Sequence, residues 1–146
     1  MAQTVAELKT AIQQGSENYL SELKLSGPNW EKKPASGEGE DAWCARQVAE
    51  HIGGACGYFA AGIARVIGTT PPPATAAQLA DENAAVAHIP GALATLLGVV
   101  DQIKDEQLAI ETEFGPLGKS TLARIVGICG YHFNDHAGQL KALRGG

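Results

Sequence analysis

Neutral imidazole is the commonest protein ligand for zinc-type ions, and two imidazoles four residues apart lie on one face of a helix. His132 and His136 have that spacing near the C-terminus, and His51 follows Trp43 by eight residues in a separate apolar segment. Three such rings would form a facial set with coordination positions left open for water or a small-molecule substrate. Held by three neutral ligands, a divalent ion keeps its full charge and strongly acidifies a bound water or thiol.

The histidines stand on predicted core stripes. Positions 125, 129, 132, 136, 139 and 143 alternate steps of four and three, as a buried helical seam does, and His132 and His136 take its two central places. A polar ring there costs about 1–3 kcal/mol unless its nitrogens are satisfied. One ion satisfies both, with His51 from an opposing seam completing the set. The alternative is a group of hydrogen-bonded core histidines, the more usual role of a lone His51. Phe133 occupies the place of the glutamate in HExxH, and the ExxH pairs of di-iron bundles are missing. A single mononuclear site is the metal reading that survives.

Other polar residues read more plainly. His88 falls off the seam of its helix and reads as a surface or helix-end residue. Cys129, one turn before His132, is within reach of a soft ion but reads as a small buried apolar residue, as does Cys44. Gln139, three residues past His136, is placed to orient a ligand or touch a substrate. Asn83 is a candidate to line the same cavity, and Tyr58 lies seven residues after His51 on nearly the same face; Gln139, Asn83 and Tyr58 all read first as packing or hydrogen-bonding residues. Glu50, Asp135 and Arg46 fall on other faces and read as solvated, with support of a ligand as the alternative. No residue is assigned a catalytic role.

Four helices are predicted to position these groups. Thr4 caps the first with Glu7 as its partner, and Val5, Leu8, Ile12, Tyr19 and Leu23 carry it to about Leu25, weakened at Gly15-Ser16. Residues 26–41 read as a loop. The second helix runs from about Ala42 to Ile67, and Gly68-Thr69-Thr70-Pro71-Pro72-Pro73 ends it. A third begins after Thr75 and reaches about Ile103, with a kink or split expected at Pro90-Gly91. Ile110–Gly118 is irregular, briefly extended at Ile110-Glu111-Thr112, and Ser120 caps a last helix running to the end. Together these make one all-α domain over residues 1–146, a four-helix bundle with almost no sheet.

Composition narrows the partners. The chain has 146 residues, 45% hydrophobic, with a net charge of −5 and no Lys/Arg cluster, so nucleic acid and anionic membranes are poor partners. No run of about 18 continuous apolar residues predicts a membrane span. Three scattered cysteines without CxxC, and a Met1-Ala2-Gln3-Thr4 start unlike a signal peptide, point to a cytoplasmic protein without a disulfide framework. Apolar loop residues such as Trp30 and Phe114 are expected to contribute surface to a homodimer.

Two segments carry a family resemblance. Trp43-Cys44-Ala45-Arg46-Gln47-Val48-Ala49-Glu50-His51-Ile52 resembles the tryptophan-to-histidine segment of DinB/YfiT-like proteins. Gly118-Lys119-Ser120-Thr121-Leu122 through His132-Phe133-Asn134-Asp135-His136-Ala137-Gly138-Gln139-Leu140 resembles that family's last helix. The resemblance implies a four-helix bundle, often dimeric, holding zinc or nickel through His51, His132 and His136. It further implies a thiol S-transferase or isomerase using a low-molecular-weight thiol such as bacillithiol, mycothiol or glutathione. A metal-dependent hydrolase and a non-catalytic metal-binding or structural bundle are the alternatives.

Overall fold

Four α-helices form the body of the computed structural model, which describes residues 3–145. Met1, Ala2 and Gly146 lie outside the described residues. The first helix, α1 (Val5–Leu23), starts as its sequence predicts: Thr4 Oγ1 accepts the Glu7 N–H at 3.1 Å, and the Glu7 carboxylate accepts the Thr4 N–H at 3.1 Å. Leu8, Ile12, Tyr19 and Leu23 are buried along one stripe.

Gly15-Ser16 does not weaken this helix. It marks the crossing of α1 with α4 (Leu122–Gly145), where a Cβ on Gly15 would stand 2.7 Å from the Gly130 carbonyl oxygen. Glycine is there for close backbone approach. Asn18 donates to Asn134 at 2.9 Å and Glu22 pairs with Arg144, so α1 and α4 run side by side in the same direction.

Helix α2 (Ala45–Ile67) begins three residues later than its apolar pattern predicts. A 3₁₀ turn at Gly39–Ala42 precedes it, Trp43 and Cys44 are extended, and the Gln47 side chain accepts the Cys44 N–H at 3.0 Å. Gly68 ends the helix in the left-handed conformation, φ +80°.

The largest departure from the sequence reading follows. Residues 70–80 are an extended crossover, and α3 spans Glu82–Val100 instead of starting after Thr75. Three consecutive prolines fix an extended backbone and supply no N–H. Tertiary bonds then hold the strand-like segment against α2. Leu79 N–H donates to Glu50 at 2.8 Å, the Thr75 hydroxyl donates to the Gly53 carbonyl, and the Trp30 indole N–H donates to the Leu79 carbonyl at 3.0 Å. Asp81 caps α3 by accepting the Ala84 N–H at 2.8 Å.

Pro90 lies on an exposed face of α3, and the helix continues through it without a split. With a mean hydropathy of 1.5, α3 is long and apolar enough to cross a membrane; it packs against α2, and 33% of it is buried. It runs parallel to α2 and antiparallel to α1, as the Gly53–His88 contact and the Lys9–Asp101 pair show.

After a 3₁₀ turn at Asp105–Ala109, strands β1 (Glu111–Glu113) and β2 (Lys119–Thr121) form a short antiparallel hairpin, Glu111 opposite Thr121. Ser120 is therefore in a strand and does not cap α4; Thr121 does, accepting the Arg124 N–H at 3.3 Å. Trp30 and Phe114 are 7% and 6% exposed, so both pack inside the chain and offer no dimer surface.

The close α1–α4 crossing has a direct test. Gly15→Ala would force overpacking and is expected to destabilise the fold by about 1–3 kcal/mol. Thermal unfolding should show a lowered midpoint, and an unchanged midpoint would mean that the two helices do not meet this tightly.

Candidate metal centre

The antiparallel placement of α2 and α4 brings an early residue of α2 opposite the middle of α4. His51 meets His132 and His136 there, and one nitrogen from each ring lies within 4.8 Å of the other two. His51 Nε2 is 2.9 Å from His132 Nε2, which is 3.1 Å from His136 Nε2. Two nitrogens bound to one ion at about 2.0–2.1 Å, at right to tetrahedral angles, stand about 2.9–3.4 Å apart. The spacing fits. His51, His132 and His136 form a group able to hold a metal ion.

The protons support the fit. Gln139 Nε2 donates to the Glu40 carbonyl at 2.6 Å, so its Oε1 must face His136 Nδ1, 2.7 Å away. His136 therefore carries its proton on Nδ1 and aims a bare Nε2 lone pair at the other rings. A single N–H on His132 Nε2 cannot fully serve both neighbours, and one divalent cation serves all three. The expectation for Gln139 holds: it orients the one deeply buried ring of the group.

Burial differs among the three. His136 is 2% exposed, whereas His51 and His132 are half-buried at the edge of the core and not sealed within it. The indole of Trp43 packs behind them, stacked on His136 (centroids 6.5 Å, 15° between planes) and tilted against His51 at 5.1 Å. In front, His51 and His132 face a cleft of about 810 Å³.

Burial also sets the charge state. It is the main cause that pushes His132 down to about 4, helped by His136 and then His51. His51 is lowered chiefly by burial and then by His136, while the Glu40 carboxylate acts in the opposite sense. Both rings are neutral at pH 7, as metal ligands must be.

The remaining candidates divide. Tyr58 lines the cleft; Asn83 is exposed on α3 and does not. His88 is half-buried, not a surface residue, with Nε2 at 2.7 Å from the Thr75 carbonyl, where it ties the crossover to α3. Glu50 and Arg46 are not simply solvated. Glu50 accepts from Arg46 at 3.2 Å and from the crossover backbone, and Arg46 also binds Glu31 at 2.6 Å. Asp135 is exposed.

The cysteines stay outside the group. Cys129 is buried and donates to the Ile125 carbonyl at 3.5 Å, its thiol pushed up by desolvation, so it behaves as an apolar residue. Cys44 precedes α2, and all three cysteines are free thiols. One residue was not foreseen. Glu40, from the Gly-rich loop, places Oε1 3.7 Å from His51 Nε2. Its loop position has no periodicity, and the 3₁₀ turn before Trp43 and the bond from Gln139 to its carbonyl hold it here.

A group whose folded pKa lies below its unfolded value near 6.5 contributes stability that is complete above that value and lost as pH falls. For His132 the window runs from about 6.5 down to about 4. Metal-free protein should therefore unfold at lower urea at pH 5 than at pH 7.5, and His132→Phe should flatten that dependence. Equal midpoints in the unaltered chain would show that the ring is not desolvated.

No family model, curated protein or solved structure matches this chain, and the chemistry of the site rests on its own atoms.

Proposed function

We propose that this chain is a DinB/YfiT-like metal protein that transfers a low-molecular-weight thiol to an electrophilic small molecule. The observation that carries the proposal is the convergence of three Nε2 atoms at the edge of an open cleft. Ligand order supports the family reading: one histidine from the second helix, two from the last. Three neutral nitrogens suit zinc or nickel. An ion bound there would acidify a thiol and hold its sulfur ready for attack.

The surrounding residues do the rest. His51 and His132 present their nitrogens on the cleft side while His136 closes the back, so an incoming donor approaches from one direction. Gln139 keeps the His136 proton on Nδ1. Phe59 and Phe114, stacked 5.5 Å apart, keep water off one flank.

Hydrolysis of an ester or amide is the second reading, because Glu40 supplies a carboxylate proton acceptor beside the triad.

Two measurements separate these layers. By elemental analysis, His132→Ala should lose most of its bound metal while His88→Ala keeps it; equal loss or equal retention would remove the triad as the ligand set. Metal-loaded protein should accelerate the displacement of halide from a halonitrobenzene by a low-molecular-weight thiol. Metal retained without any acceleration, across several thiols and halonitrobenzenes, removes the transferase and leaves the binding site standing.

A further inference from the structure

The cleft in front of the triad is unequal in its chemistry. One wall is aromatic and preformed. Phe59 and Phe114 lie nearly parallel, 11° between planes, and Tyr58 meets them edge-on at 5.8 Å and 5.6 Å. The hairpin delivers Phe114 into a notch over Gly62, where any Cβ would collide with the ring, so that ring has one seat. Leu117 and Ile128 extend the apolar surface.

The charged side chains lining the cleft are Glu40 and Glu50, with no lysine or arginine among them. Glu50 is already offset by Arg46 and the Leu79 N–H. Glu40 is 58% exposed, and among the described residues its one basic neighbour is His51, itself a ligand of the proposed metal centre. The side chains of the cleft therefore add a negative charge at Glu40 and no cation beyond the ion that the triad would hold.

Resting on the metal-centre reading, we propose that this cleft takes a ligand with an aromatic body and no negative charge, which reaches the triad through a single donor atom. The ring stacks against Phe59 and Phe114, a contact that rewards an aryl group beyond its buried area. An anionic group remote from the donor atom loses hydration against the apolar wall, finds no lysine or arginine to pair with and meets Glu40. A thiol bearing carboxylates has to keep them in solvent, outside the cleft.

Full-length protein loaded with Co(II) tests this by absorption, since the visible and near-ultraviolet bands of Co(II) change when sulfur coordinates. Phenylmethanethiol and 4-(mercaptomethyl)benzoate share donor and ring and differ by one remote carboxylate. The uncharged thiol should bind about tenfold more tightly. Leu117→Lys supplies the missing cation and should bring the carboxylate thiol to parity, a gain that misfolding cannot produce. Phe114→Ala should weaken phenylmethanethiol about tenfold and leave ethanethiol unchanged. Equal affinities in the unaltered chain, or tighter binding of the carboxylate, overturn the proposal alone. If Co(II) does not bind, or binds equally well to His132→Ala, the metal centre itself falls and this inference with it.

Discussion

Three imidazole lone pairs cannot be packed together in a half-dry site unless something positive lies between them. That constraint organises the structure around His51, His132 and His136. Their Nε2 atoms stand at 2.9 and 3.1 Å, close enough that each gap needs an N–H hydrogen or a cation within it, and burial lowers the affinity of His132 and His51 for further protons. A proton is therefore a poor counter-charge near neutral pH. A divalent cation brings twice the charge and replaces hydration with three directed bonds. The site suits a metal because it disfavours the competitor.

Holding the rings in place is the work of residues that never meet an ion. Gln139 is the most economical of them. Its carbonyl fixes the tautomer of His136, and its amide N–H anchors the loop carrying Glu40, so one side chain sets both the back of the site and its nearest carboxylate. Trp43 stacks on His136 and leans on His51, which removes the rotational freedom of both rings. The extended crossover braces α2 from outside through Glu50 and Gly53, residues flanking His51 in sequence. Apart from Gln139, which stands on α4, these supports come from the segments between helices. Without them the triad would be three mobile side chains on a bundle.

Periodicity revealed what periodicity governs. The stripes of α1, α2 and α4 were legible because buried positions recur every three or four residues, and His136 fell on a stripe that is in fact buried. His51 and His132 lie on the margins of theirs, because a seam that borders a cleft is read in the same way as one that borders the core. The start of α3 was misplaced for a different reason. Thr75, Ala77 and Leu79 are apolar enough to extend its pattern, but the three prolines and the bonds to Glu50, Gly53 and Trp30 hold them extended. Glu40 and the Phe114 wall were illegible: their positions depend on contacts with residues far away in the chain, and no local spacing encodes them.

The same loops that complete the site also set its limits. A metal site that activates an anionic donor gains from nearby positive charge, yet the proposed site has a carboxylate 3.7 Å from the His51 nitrogen and an aromatic wall opposite. Attraction to the ion must then dominate at the donor atom, while repulsion and desolvation act on everything the donor is attached to. Those two ranges differ: the coordinate bond acts over about 2 Å, and the carboxylate over roughly a Debye length of 8–10 Å. A ligand satisfies both only if its negative charge is confined to the atom on the metal. With one histidine triad and no lysine or arginine lining its cleft, the proposed site would favour that distribution of charge.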